Sequence, residues 1–132
     1  MNMARKIEVG MDFQASEEVD KYRAIYYAGA SGDFNPIHID PEFGKFVGLG
    51  GVILHGLCAL GFVAKAVTDW AGDPGRLKKL RCRFAAPVNL GDVITTKGSV
   101  IGIKEGRAQI ALSVTRQGGE EVEKNVSAEV EL

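Results

Sequence analysis

The stretch from Gly51 to Val67 constrains the fold of this chain more than any other segment, because nearly every residue in it is apolar or small. Only His55 and Lys65 interrupt it, and it is shorter than the ~20 apolar residues that a membrane-spanning helix needs. A helix that is apolar on almost every side is typical of a protein interior. We therefore predict a buried helix over residues 56–71, ended by turn-forming residues at 73–75.

The rest of the chain alternates apolar and polar residues with the period of two that marks half-buried strands. A first strand is predicted near residues 7–14. Four more strands are predicted after the long helix, around residues 80–84, 93–101, 108–114 and 126–132. The connections at 104–106 and 117–120 are short and contain glycine, which favours antiparallel hairpins.

A shorter helix is predicted to begin at Ser16, since this N-cap residue is followed by two acids that the helix dipole favours. From helical spacing, its apolar side is predicted to consist of Val19, Tyr22, Ile25, Tyr26 and Ala30. Gly29 and Gly32 then mark its end. The predicted order is strand, helix, loop, buried helix and an antiparallel meander.

This order predicts an α+β fold in which one antiparallel sheet wraps around the long apolar helix, which matches the hotdog fold. At 132 residues the chain is long enough for one such domain, spanning 1–132, and too short for a second. Domains of this size leave about a third of the unfolded chain's surface uncovered, so pairing with another subunit is plausible.

The composition excludes several classes of protein. With 16 basic and 17 acidic residues the chain has no excess of positive charge for binding nucleic acid. Residues 1–11 contain no apolar core of signal-peptide length, so we expect a cytoplasmic protein.

The cysteines give no sign of a disulfide framework or a redox motif, because Cys58 and Cys82 do not form a C-x-x-C pair. His55 and Cys58 lie three residues apart, as zinc ligands can. With two histidines and two cysteines in the chain, a zinc site would need every one of them correctly placed. We therefore expect no metal site.

The residues with the most chemical information lie between Ser31 and His38. Pro36 disfavours helix at Asn35, so this segment is predicted to form an ordered bend that fixes Asp33 relative to His38. Such a bend could present a carboxylate and an imidazole to one water molecule. In an ordinary turn, Asp33 would instead cap the backbone and His38 would lie at the surface. Residue types alone leave both interpretations open.

Two segments stand out as a pair: residues 27–38, with the sequence YAGASGDFNPIH, and residues 51–57, with the sequence GVILHGL. Their order and separation, with RFAAPV at 83–88 and the Gly-Asp turn at 91–92, resemble the MaoC-like hydratase family. That family includes (R)-specific enoyl-CoA hydratases and 3-hydroxyacyl-ACP dehydratases. The resemblance covers nearly the whole chain. It implies a hotdog fold and a lyase that adds water to, or removes it from, the double bond of an acyl thioester.

By this resemblance, Asp33 and His38 are catalytic and bracket the water that attacks the double bond. The backbone amide of Gly56, at the start of the long helix, is expected to hold the charge that builds up on the thioester oxygen. Asn35 and His55 are expected to support the site. No metal or redox cofactor is implied, and coenzyme A or phosphopantetheine enters as part of the substrate.

A basic stripe is predicted on one face of a strand, where Lys79, Arg81 and Arg83 alternate with apolar residues. It could contact the phosphates of coenzyme A or the acidic surface of an acyl carrier protein. The alternative is a solvated outer face, which is what alternating charge on a strand usually means.

The resemblance also bears on assembly. Hotdog domains resemble half of a working unit, so a homodimer is expected. Residues 67–72 resemble heteromeric relatives, in which one subunit holds the acid and the histidine and a second hotdog subunit supplies the acyl tunnel.

Two other functions compete with the hydratase. A hotdog thioesterase commonly has an acidic residue near the start of the central helix, whereas the first acid after His55 here is Asp69. A structural or acyl-binding subunit without activity need not keep both Asp33 and His38. Both alternatives are therefore less favoured.

Overall fold

The computed structural model of the chain describes residues 5–132, which form five strands and four helices. The strands are β1 (Asp12–Glu18), β2 (Leu77–Phe84), β3 (Val93–Lys104), β4 (Arg107–Thr115) and β5 (Glu121–Glu131). The helices are α1 (Arg23–Ser31), α2 (Pro36–Ile39), α3 (Pro41–Phe46) and α4 (Gly56–Ala71), with a 3-10 turn at Pro74–Arg76. The long helix predicted over 56–71 is confirmed as α4, and the four later strands are confirmed as β2 to β5, although β2 begins three residues and β5 five residues earlier than predicted.

The five strands form one antiparallel sheet in the order β1-β3-β4-β5-β2. The two predicted hairpins join β3, β4 and β5. The expectation that β2 opens the same meander is wrong, because β2 pairs with β5 at the far edge. Residues 85–92 carry the chain from β2 to β3, and along this connection the Leu54 N–H donates to the Val88 carbonyl at 2.7 Å. The end of β2 thereby comes beside the start of α4, where the Phe84 ring faces Gly56.

Helix α4 packs on the sheet through small and branched residues. The buried positions are Cys58, Ala59, Val63, Ala66, Val67 and Ala71. The opposite side of the helix is exposed at every fourth residue, namely Leu57, Gly61, Lys65 and Asp69. The prediction of a helix enclosed on nearly every side is therefore wrong for this exposed stripe. Neither α4 nor any other helix within residues 5–132 is long and apolar enough to cross a membrane.

The first strand and the start of the first helix lie later than predicted. Gly10, with a φ of 94°, belongs to a turn, and β1 runs over 12–18 instead of 7–14. Ser16 is therefore a strand residue, and its hydroxyl pairs with the Thr95 hydroxyl at 2.9 Å. The N-cap of α1 is Tyr22, without a side-chain cap, and Asp20 orders the turn before it by accepting the Tyr22 N–H at 2.9 Å.

The buried side of α1 also differs from the prediction. Ala24 and Ala28 face the interior, whereas Tyr22, Ile25 and Tyr26 are half exposed or more. Small residues let α1 approach the core closely, and the larger apolar side chains remain on the surface. Burial of Val19, just before the helix, is confirmed.

Candidate active site

Asp33 lies in the turn between α1 and α2, where Gly32 ends α1 with a φ of 78°. The Asp33 N–H donates to the Ser31 hydroxyl at 3.2 Å, and Asp33 Oδ1 accepts the Asn35 N–H at 3.2 Å. One carboxylate oxygen therefore serves the turn, as the ordinary-turn interpretation expects. The other oxygen, Oδ2, lies opposite His38. The ordinary-turn interpretation is therefore right about the contact of Asp33 with the backbone, and Oδ2 is still available to face His38.

Asn35 caps the short helix α2, and its Oδ1 accepts the Ile37 N–H at 3.2 Å. Pro36 occupies the first helical turn, where its missing N–H costs nothing. This local geometry carries His38 inward, and the side chain is buried instead of lying at the surface. Asn35 thus contacts the backbone of the loop that holds the site.

The hydrogen bonding of His38 defines which of its ring nitrogens can act on water. Nδ1 lies 2.8 Å from the Ile53 carbonyl oxygen, and a carbonyl oxygen can only accept, so Nδ1 carries the hydrogen. In the neutral ring, Nε2 then has a free lone pair. Nε2 lies 3.8 Å from Asp33 Oδ2, too far for a direct hydrogen bond and suited to one bridging water.

His55 lies behind this pair and is almost fully buried. Its Nε2 donates to the Asp33 backbone carbonyl at 2.9 Å. The His55 ring stacks on that of His38, with centroids 3.8 Å apart, and its other neighbour is the Tyr27 ring at 4.7 Å. His55 Nδ1 has no hydrogen-bond partner among the described residues. These contacts suit a residue that holds Asp33 and His38 in place.

Gly56 is the first residue of α4 and lines a cavity of about 330 Å³ together with His38. Other lining residues include Phe84, Val88 and Glu123. A Cβ atom at position 56 would lie 3.1 Å from the Phe84 ring, so glycine gives this end of the cavity its room. The first amide of a helix has no partner within the helix and can therefore bind an anion.

Glu123 is a cavity residue that the sequence prediction missed, because the predicted last strand begins only at residue 126. Its side chain is 2% exposed, and burial raises its pKa from 4.5 to about 7, an effect that the Cys82 thiol partly offsets. The sequence contains one weak sign that the strand is irregular near Glu123. Two consecutive polar residues, Lys124 and Asn125, precede the apolar alternation that begins at residue 126. Asn125 adopts a φ of 52°, which strand residues rarely show.

Asp33, His38 and His55 offer three potential metal-binding atoms within 4.8 Å of one another. Each histidine already uses one ring nitrogen on a backbone carbonyl, and the two rings stack face to face. Burial raises the pKa of the Cys58 thiol, which disfavours the thiolate that zinc binds. The cluster therefore fits acid and base chemistry on water better than a zinc site.

The basic side chains of β2 lie outside the cavity. Lys79, Arg81 and Arg83 are exposed on this edge strand, and Phe84 continues the strand to the cavity. Lys79 pairs with Glu129 at 3.6 Å, whereas Arg83 lies in register with Lys124. Positive charge is thus concentrated towards the cavity end of β2.

The structure therefore brings together Asp33, His38 and the supporting residues Asn35 and His55, with Gly56 on the same cavity as His38. Because Asp33 Oδ2 and His38 Nε2 both accept hydrogen bonds, a water between them would donate both of its hydrogens. Its lone pairs would then point away from the pair. This is the orientation that a nucleophilic water requires.

Curated proteins with similar sequences match part of this chain. Enoyl-CoA hydratase 2, peroxisomal, of Arabidopsis thaliana is 40% identical over 90 residues, which are 67% of this chain and 29% of that protein. The probable enoyl-CoA hydratase 2 of Dictyostelium discoideum is 39% identical over 88 residues, 65% of this chain and 30% of that protein. The chain spans less than a third of the length of these curated relatives.

Structural similarity extends over almost the whole chain. The (R)-hydratase from A. caviae involved in PHA biosynthesis superposes with a TM-score of 0.87 at 26% identity, covering 98% of this chain and 99% of that one. The family described as MaoC like domain matches residues 2–122. The α+β hotdog fold expected from the sequence is confirmed, and the chain belongs to the MaoC-like domain family.

Proposed function

We propose that the chain, as one MaoC-like hotdog domain spanning 1–132, is a hydro-lyase. It would add water reversibly to 2-enoyl thioesters and remove it from (R)-3-hydroxyacyl thioesters. The observation that carries this proposal is the 3.8 Å separation of Asp33 Oδ2 and His38 Nε2, where His38 lines the same cavity as Gly56. The names of the similar proteins, enoyl-CoA hydratase 2 and (R)-hydratase, support the same reaction class.

In the proposed reaction, Asp33 and His38 hold the water and handle its proton. The water oxygen forms a bond to C3 of the enoyl group, and one O–H bond of the water breaks. The pair takes up that proton and a proton is delivered to C2, so the net change is addition of H and OH across the double bond. Positioned proton transfer of this type contributes typically ~10² to 10⁴ in rate.

The thioester oxygen gains negative charge while C3 is attacked. We propose that the Gly56 N–H donates to this oxygen, supported by its place at the first turn of α4 on the same cavity as His38. A donor of this kind is worth on the order of 10² to 10³ in rate. The absence of a side chain at this position lets the thioester approach the amide.

The carrier of the acyl group is proposed to lie along β2. The exposed Arg81 and Arg83 follow the strand towards Phe84 at the cavity, whereas Lys79 is engaged by Glu129. Guanidinium groups can bind the phosphates of coenzyme A or acidic residues of an acyl carrier protein. A charge reversal at Arg83 that raises KM for crotonyl-CoA without lowering kcat would support this placement.

A homodimer is proposed as the working unit, with a heteromer containing a second hotdog subunit as the alternative. Large apolar side chains are exposed near the cavity, including Leu57 at 64% and Phe84 at 52%. Phe46, in helix α3, is also exposed, at 86%. Covering such side chains favours association. Light scattering on the purified chain separates a dimer from a monomer that awaits a partner.

Cofactor use and cellular location stay predictions. We propose that no metal takes part, because Asp33 and His38 suffice to hold the water. Dialysis against a chelator should therefore leave hydration unchanged. The cytoplasmic location expected from the sequence is testable by cell fractionation.

The proposed function is tested by following the loss of enoyl absorbance with crotonyl-CoA, together with chiral analysis of the product. Rapid hydration to the (R) product supports the proposal. Release of free thiol from crotonyl-CoA without hydration would instead identify a thioesterase. Binding of acyl-CoA without turnover, in a correctly paired sample, would identify an acyl-binding subunit.

A further inference from the structure

Glu123 is a buried acid that the proposed hydration does not use. Among the residues that line the cavity, His38 and Glu123 are the two with ionisable side chains. Within residues 5–132 neither carboxyl oxygen of Glu123 has a hydrogen-bond partner of good geometry, although the Cys82 thiol lies near enough to lower the pKa of this carboxyl. The side chain is nevertheless 2% exposed, so bulk water does not solvate it.

A bulge in β5 turns Glu123 towards the cavity. On β4, Leu112 and Val114 are two residues apart and therefore point to the same face. Their partners on β5, Val126 and Glu123, are three residues apart, so β5 carries one extra residue between them. Asn125, with its φ of 52°, lies inside this irregular segment. Glu123 consequently shares the inward face with the core residue Val126.

The surroundings of Glu123 are mostly apolar. It lies in register with Phe84 on β2 and with Val114 on β4, and Val88 lines the same cavity. The Cys82 thiol on β2 is a nearby titratable group, and burial together with Glu123 raises its pKa. An unpartnered buried carboxyl destabilises a fold, whereas a hydrogen bond from a bound molecule would compensate it.

We propose that Glu123 selects substrates whose acyl chain carries a hydroxyl group beyond the reacting double bond. This inference rests on the proposed function, in which the cavity holds the acyl chain of a thioester. A hydroxyl group both donates and accepts hydrogen bonds, so it satisfies the carboxyl in its protonated and in its ionised form. A carbonyl or an ammonium group suits one of these forms, and an alkyl chain suits neither.

The protonation of Glu123 favours a hydroxyl partner in particular. Since its pKa is raised to about 7, both forms of the carboxyl are present near neutral pH. A ligand group that can reverse its hydrogen-bond direction is therefore retained across this range. The other ionisable cavity residue, His38, is engaged with Ile53 and faces Asp33.

The test compares crotonyl-, hexenoyl- and octenoyl-CoA with their ω-hydroxy counterparts. We expect wild type to prefer at least one hydroxylated member by about tenfold or more in kcat/KM, because a site built to bind a hydroxyl rejects the analogue that lacks it. Glu123→Leu should reverse this preference and Glu123→Gln should retain most of it. Glu121→Leu is the matched control, since Glu121 is exposed on the same strand and should keep the wild-type ratio.

A binding measurement separates this inference from the proposed reaction. Calorimetry with hexanoyl-CoA and 6-hydroxyhexanoyl-CoA reports the preference without any turnover. The inference would be overturned if wild type showed the same kcat/KM and the same affinity for both members of every pair. It would also be overturned if the preference of Glu123→Leu for hydroxylated substrates equalled that of wild type. If no enoyl thioester is hydrated while the binding preference persists and disappears in Glu123→Leu, the proposed reaction is wrong and the role of Glu123 stands. If Glu123→Leu does not fold, the preference of wild type for hydroxylated over plain substrates decides whether the inference holds.

Discussion

Asp33 faces His38 across 3.8 Å with its carboxylate, while its backbone carbonyl accepts a hydrogen bond from His55 at 2.9 Å. The backbone of Asp33 is thus held by His55, while its carboxylate faces His38, and the rings of the two histidines stack on each other. In the proposed reaction the carboxylate acts on water, whereas the carbonyl contact with His55 fixes where the carboxylate lies. Substitutions can separate these two contributions.

Asp33→Asn should lower hydration of crotonyl-CoA by about 10² to 10⁴, because an amide cannot take up a proton from water. The turn should survive, since the Asn side-chain oxygen can still accept the Asn35 N–H as Asp33 Oδ1 does. Enzyme kinetics together with a thermal melt check both statements. Asp69→Asn, at an exposed position of α4, is the control and should keep full activity. Retention of most activity in Asp33→Asn would contradict the proposed mechanism.

His55 is expected to act as a positioning residue. His55→Phe keeps an aromatic ring beside His38 but leaves the Asp33 carbonyl without its donor, so kcat should fall by about 10 to 10² through misplacement of the carboxylate. His55→Gln retains an N–H that can reach this carbonyl and should recover part of kcat. If the two variants lose activity equally at equal thermal stability, the role of His55 is packing alone.

Two glycines of α4 should respond in opposite ways to alanine. Gly56→Ala places a Cβ atom 3.1 Å from the Phe84 ring, so the ring must move and the cavity must shrink. We expect kcat/KM for crotonyl-CoA to fall although the N–H at position 56 is kept. Gly61→Ala meets no atom within 4 Å and should stabilise the helix by up to about 1 kcal/mol. Kinetics and urea unfolding of both variants test this, and restoration of the Gly56→Ala activity by Phe84→Leu would show that the loss is steric.

The sequence predicts α4 well because an apolar run bounded by turn residues leaves few alternatives for residues 56–71. The proximity of the site residues is less accessible to prediction. His38 is fixed by Ile53, which is 15 residues away, and Asp33 by His55, which is 22 residues away. Family resemblance identifies these residues as a site. Local periodicity predicts neither the contact of His38 with Ile53 nor that of Asp33 with His55.

Other differences arise where tertiary contacts outweigh local preference. Ser16 has the chemistry of a helix cap, but pairing with Thr95 keeps it in β1. Ile25 and Tyr26 of α1 stay on the surface, whereas Ala24 and Ala28 face the core. Glu123 is turned inward by an extra residue in β5. A simple alternation of apolar and polar residues does not predict a bulge.

Glu123 should also make the stability of the fold depend on pH. Burial raises its pKa from 4.5 to about 7, so the carboxyl is protonated in both the folded and the unfolded chain well below 4.5 and contributes no difference there. As pH rises from 4.5 through about 7, the unfolded chain loses its proton first, and the free energy of unfolding should fall. The loss is on the order of 3 kcal/mol, since each unit of pKa shift corresponds to about 1.4 kcal/mol.

The difference between wild type and Glu123→Gln cancels the titration of groups that Glu123 does not influence. The Cys82 thiol, whose pKa Glu123 and burial raise, stays protonated at acidic to mildly basic pH. The amide does not ionise, so Glu123→Gln should gain stability relative to wild type as pH rises, with the gain levelling off once the folded carboxyl has ionised. Urea unfolding at a series of pH values from acidic to mildly basic measures the difference directly. Glu121→Gln, at an exposed site two residues away, should follow the wild-type curve. Parallel curves for wild type and Glu123→Gln would mean that the carboxyl is hydrated or paired in solution, and would remove the physical basis for its selecting a hydroxyl group.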